Sequence, residues 1–133
     1  MADSRLSLAA KQTLLLILVP MLATVFVLRL YLHLVHVRHV YPGGYLVHHF
    51  FIGALIEIPA AFLLAFGTRY RSLARVAVGI GSGLMLDELV YLVATGASDA
   101  DYVSRTSLVG SFVFVALAVI FLIVLFAIHR NKS

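Results

Sequence analysis

Residues 33 to 49 read His-Leu-Val-His-Val-Arg-His-Val-Tyr-Pro-Gly-Gly-Tyr-Leu-Val-His-His, and they hold five of the six histidines of the chain. Imidazole is the common side-chain metal ligand and the general base suited to neutral pH. His33, His36 and His39 recur at every third position, so neighbouring pairs share one face of a helix. His48 and His49 form a second group, and the adjacent carboxylates Asp87 and Glu88 a third. Neutral imidazoles mixed with carboxylates suit zinc, iron or manganese. The expected site therefore holds one or two divalent ions, zinc first, on His33, His36, His48, His49, Asp87 and Glu88. Glu88 or Glu57 is then the general base. His39 lies nearest water and stands outside the set. The plainer readings are histidines wetting their rings at a membrane surface, Asp87 or Glu88 paired with Arg38 or Arg105, and Glu57 paired with Arg29.

These residues sit in a chain of 133 residues that is 62% hydrophobic and 12% charged, with mean hydropathy +1.06. A water-facing surface needs more charge than that, so the class is polytopic membrane protein. The chain has no cysteine, which excludes disulfides, thiolate ligands, iron–sulfur clusters and cysteine nucleophiles. Basic residues flank apolar runs and form no stripe, so nucleic acid is not an expected partner.

Four apolar segments follow in order, at roughly 12–39, 45–66, 74–95 and 105–128. The first continues too far past its charged lead-in to be a cleaved signal peptide. Tyr41-Pro42-Gly43-Gly44 is a turn, Thr68 to Arg75 a basic loop, and Thr95 to Asp101 an acidic one. The expectation is an all-α, four-transmembrane-helix antiparallel bundle forming a single membrane domain over 1–133, with sequential helices packed together. Gly79 and Gly83 form a small-residue stripe that admits a close neighbour. Tyr41, Tyr45, Tyr91 and Tyr102 cluster outward, and most of them read as an interfacial aromatic belt.

Charge sets the orientation. Arg5, Lys11, Arg69, Arg71, Arg75, Arg130 and Lys132 fall on one side of this layout, so both termini are expected in the cytoplasm. The histidines and Asp87-Glu88 then share the extracytoplasmic half. At 1.5 Å per residue, Asp87 lies about 12 Å in from Thr95, while Glu57 and Arg29 both lie about 18 Å deep.

Val47-His48-His49-Phe50-Phe51-Ile52-Gly53 and Gly79-Ile80-Gly81-Ser82-Gly83-Leu84-Met85-Leu86-Asp87-Glu88 resemble segments of a group of small prokaryotic integral membrane proteins. That group shares a paired-histidine segment and a glycine-rich segment ending in Leu-Asp-Glu, and the resemblance implies no activity. Membrane histidines beside a carboxylate also look, in chemistry alone, like the zinc site of ceramidase-type amidases, which have seven membrane helices. Histidine-rich membrane desaturases are similar in composition, but their histidine boxes are more numerous and face the cytoplasm.

The expected function is a metal-dependent hydrolase of an ester or amide in the cell membrane, with a lipid-like or small amphipathic substrate. The alternatives are a diiron oxidoreductase and a non-catalytic metal-binding or structural membrane protein. The lipid bilayer is the expected partner, and a homodimer is a further option because four helices enclose little space.

Overall fold

A computed structural model of the chain describes residues 2–35, 48–96 and 98–131. His36, His39, Arg38 and the turn at Tyr41 to Gly44 lie outside these residues. Helix α1 runs Ala2–Leu34, α2 His49–Phe66, α3 Arg71–Ala94, α4 Asp99–Tyr102 and α5 Arg105–Asn131. There are four helices long and apolar enough to cross a membrane: α1, α2, α3 and α5. No strand occurs among the described residues.

The borders depart from the sequence reading in instructive ways. The helix α2 begins at His49, with His48 as an extended N-cap, while the expected start near Tyr45 lies outside the described residues. The third starts earlier than 74, because Tyr70 takes a left-handed conformation (φ 60°) and turns the chain directly into α3 at Arg71. The helix α4 was not expected. Ser98 and Asp101 cap each other there: the Ser98 side chain accepts from the Asp101 backbone N–H, and the Asp101 carboxylate accepts from the Ser98 backbone. Hydrogen bonds from Ser98 hold the Asp101 carboxyl below its ordinary range.

Helix α3 is the centre of the molecule. It packs against α1, α2 and α5, and α1 also packs against α5. Among the described residues α1 and α2 do not pack together, and neither do α2 and α5. The expected contact between the first two helices is therefore replaced by a three-helix core with α2 laid on the outside of α3. Small residues make this possible. A Cβ on Gly79 would run into the Ile17 carbonyl oxygen, and one on Gly83 would lie 2.7 Å from that of Met21, so both glycines hold α1 close. A Cβ on Gly81 would meet Gly53 O and Glu57 Cβ, each at 2.8 Å, so the intervening position serves α2.

Burial is the reverse of a water-soluble protein. The buried residues include Asp87, Glu88, Ser107 and Ser111, while Phe26, Leu55, Phe66, Phe112 and Phe121 are exposed. An exposed apolar coat around a buried polar cluster is what a hydrocarbon solvent selects. The core of the spanning window is 33% buried for α3 and 11% for each of the others, which fits the central place of α3.

Candidate functional site at a histidine and carboxylate cluster

Asp87 and Glu88 are neighbours on α3, and neighbours on a helix point about 100° apart. Asp87 therefore faces α1 and α5, and Glu88 faces α2. The two carboxylates have different partners, and together they draw every helix into one polar cluster.

Asp87 is fully buried. Its Oδ1 accepts from Arg29 Nε at 2.5 Å and from the Ser111 hydroxyl at 3.3 Å. Its Oδ2 accepts from the Tyr102 hydroxyl and from His49 Nε2 at 3.1 Å. Arg29 spends its other donors nearby, on the Asp87 carbonyl at 2.8 Å, the Tyr102 carbonyl at 2.9 Å and the Ser107 hydroxyl at 3.2 Å. The Tyr102 ring lies under the guanidinium, 4.4 Å from its carbon to the ring centroid. Arg29 thus pairs with Asp87, which overturns the alternative pairing with Glu57. Among the described residues no ion pair joins Asp87 to Arg105.

Glu88 is held at the start of α2. Its Oε2 accepts from the Phe50 backbone N–H at 2.6 Å, and its Oε1 lies 2.7 Å from His48 Nδ1. The free N–H groups and the positive end of the α2 dipole compensate its charge. In a neutral His48, an ionised Glu88 would take the Nδ1–H and leave the Nε2 lone pair free. Nε2 has no hydrogen-bond partner among the described residues. His49 lies between the acids: Nε2 is bonded to Asp87, and Nδ1 is 3.5 Å from Glu88 Oε2. The imidazoles are the reachable part of the cluster. Their side chains are 14% and 18% exposed, against 4% and 0% for Glu88 and Asp87.

Tyr91 and Tyr102 do not belong to a surface belt. Both are buried, their rings meet edge to face, and they touch His48 and His49 respectively. The helix α4 carries Tyr102 over Asp87 like a stopper. Burial, then the neighbouring Asp87 charge, pushes the Tyr102 phenol well above its ordinary range. A raised value means that its stabilising bond is intact below the ordinary tyrosine value of 10.0 and is lost on going more alkaline. Tyr102→Phe is expected to lower stability at neutral pH by about 1.5–3 kcal/mol, the contribution of a hydrogen bond to a charged group. Unfolding measured from pH 7 to 11 checks the sign: the gap to wild type should narrow at the alkaline end, and a gap independent of pH contradicts this assignment.

Of the expected ligands, His48, His49, Asp87 and Glu88 come together. His33 is exposed in the last turn of α1, and no hydrogen bond or ion pair joins it to the cluster among the described residues. His36 lies outside those residues. Glu57 sits about 12 Å further along α2 from His49, where it accepts from the Ser82 hydroxyl at 3.0 Å. Among the described residues no three His, Asp or Glu side chains are arranged to hold a metal ion. Both Asp87 oxygens meet hydrogen-bond donors, four in all and one of them cationic, and Glu88 accepts from a backbone N–H.

Ser107, Ser111 and Tyr102 are members that residue type alone does not single out. The serines lie four apart on α5, so they share the face turned to Asp87. No family model, no curated protein and no solved structure matches this chain.

Proposed function

We propose that the chain is a multi-pass protein of the cell membrane, an antiparallel bundle of four spanning helices with both termini cytoplasmic, whose cluster near the extracytoplasmic face hydrolyses an ester or amide of an amphiphile. The excess of Lys and Arg at the other end of the layout supports the orientation. The observation that carries the chemistry is His48. Its Nδ1 lies 2.7 Å from a Glu88 oxygen, and its Nε2, on a partly exposed ring, has no hydrogen-bond partner among the described residues. A carboxylate behind an imidazole fixes the tautomer and steadies the imidazolium, the arrangement of an acid–base dyad.

In this reading His48 Nε2 takes a proton from water as the oxygen attacks the substrate carbonyl. The tetrahedral adduct then collapses, the carbon–heteroatom bond breaks, and the imidazolium returns its proton to the leaving alcohol or amine. Glu88 orients the base, and Glu57 is too far along α2 to serve the same water. The buried Arg29–Asp87 pair holds α1, α3 and α5 in register beneath the dyad.

One observation favours a second reading. Histidine ligands of metals also donate their other N–H to a carboxylate, so His48 Nε2 and His49 suit a zinc, iron or manganese ion with the acids as outer partners. Such an ion would acidify a bound water and polarise a carbonyl. One preparation, purified without nickel, tests both readings. Turnover of chromogenic amphiphilic esters and amides is expected to fall at least ~100-fold in His48→Gln, the usual contribution of a general base, with metal content unchanged. Stoichiometric metal that is lost in His48→Gln would select the metal reading. Equal turnover by both proteins and no metal in either would leave a structural cluster and refute the hydrolase.

A further inference from the structure

The proposed chemistry leaves Glu57 idle. It lies near the middle of α2, about 12 Å from the His49 end and about 14 Å from the Phe66 end. An ionisable side chain at that depth in hydrocarbon is costly to hold, and such residues mark ligand or ion sites. Helix α3 fixes its place. A Cβ on Gly81 would lie 2.8 Å from Glu57 Cβ, and Glu57 Oε2 accepts from the Ser82 hydroxyl at 3.0 Å. The side chain is half-buried, so the carboxylate sits in the crease between α2 and α3 without being sealed there. Ala54 and Ala61 stand one turn to either side of Glu57 on the same face of α2. Ala54 is half-buried and Ala61 exposed, and their methyl groups leave the approach to the carboxylate open. The bulky exposed residues Leu55, Ile58 and Phe62 belong to the outer ridge of α2.

No ion pair joins Glu57 to a base among the described residues. Arg29 is spent on Asp87. Arg75 shares the α3 face of Ser82, two turns and about 10 Å further along the axis. An inorganic cation such as calcium or magnesium needs about six oxygen ligands, and the crease offers one carboxylate and one hydroxyl. An organic cation needs only the charge, because its apolar body is solvated by hydrocarbon and by the alanine methyl groups. We propose that Glu57 is the counter-ion of a second site, which binds a hydrophobic organic cation in the crease between α2 and α3. The site is separate from the histidine cluster and does not rest on the hydrolase reading. It needs only that α2 and α3 span a membrane.

The test is equilibrium dialysis of the full chain in detergent against tetraphenylphosphonium, with triphenylphosphine oxide as an uncharged probe of related shape. The wild type is expected to bind one tetraphenylphosphonium per chain, and to bind the uncharged probe at least about ten-fold more weakly. Glu57→Gln keeps an acceptor for Ser82 but removes the charge, and Ala61→Phe fills the crease. Each should weaken tetraphenylphosphonium binding at least about ten-fold. Leu125→Phe, an exposed change on α5, should leave it unaltered. Ala61→Phe alters neither the charge nor the Ser82 bond, and it decides the matter if Glu57→Gln fails to fold. Equal binding by the wild type and Glu57→Gln, equal binding of the two probes, an equal loss in Leu125→Phe, or no binding by the wild type would each overturn the proposal.

Discussion

Arg29→Met is expected to destabilise the protein by about 3–5 kcal/mol, the usual cost of breaking a buried ion pair from one side. The cost comes from what is left behind. Asp87 is fully buried, and without Arg29 its charge would face Ser111, Tyr102 and His49 with no opposing charge from α1. The Tyr102 and Ser107 contacts of the guanidinium would be lost as well. Arg29→Met/Asp87→Leu removes both charges at once, and it should recover most of the loss, because apolar replacement of a whole buried pair is often neutral or better. Reversible unfolding in detergent, followed for the two single variants and the double, checks this. The exposed Arg105→Gln serves as a control and should shift stability by less than about 0.5 kcal/mol. Wild-type stability in Arg29→Met would show that the pair contributes nothing and would remove the basis for treating the cluster as a single unit.

The spans were legible because hydrocarbon demands about 20 apolar residues per crossing, and this chain supplies four such runs. The meeting of His48, His49, Asp87 and Glu88 was legible for a related reason: connected spans return alternate ends to one side, and depth follows from counting residues. What counting cannot supply is azimuth. Arg29 and Glu57 matched in depth, yet Arg29 lies on the α1 side of α3 and Glu57 on the α2 side, and the two helices do not pack together. The adjacent acids split the same way, since one residue step turns a helix by about 100°. The helix α4 had a readable signal in Ser98 and Asp101 three apart, the spacing of a capping box. The serines of α5 had none, because a hydroxyl in a spanning helix bonds its own backbone as readily as a neighbour.

The glycine stripe should prove as sensitive as the ion pair. Gly79→Val puts a branched side chain where even a methyl group would collide with the Ile17 carbonyl oxygen. That oxygen belongs to helix backbone and cannot swing aside as a flexible side chain would, so α1 must move outward. Overpacking of this kind costs about 1–3 kcal/mol in a well-packed core. More follows, because Arg29 lies further along the same helix and reaches Asp87 only while α1 hugs α3. Moving α1 outward should weaken that pair, so the two lesions share one mechanism. The expected result is therefore non-additive: Gly79→Val/Arg29→Met should be less destabilised than the sum of its parts by more than about 0.5 kcal/mol. Gly96→Ala is the contrasting case, since its methyl group would meet only the Asp101 carboxylate at 3.1 Å, outside the spans. Strict additivity of Gly79→Val with Arg29→Met would show that α1 relaxes locally, and that the approach of α1 to α3 and the Arg29–Asp87 pair are independent features of the bundle.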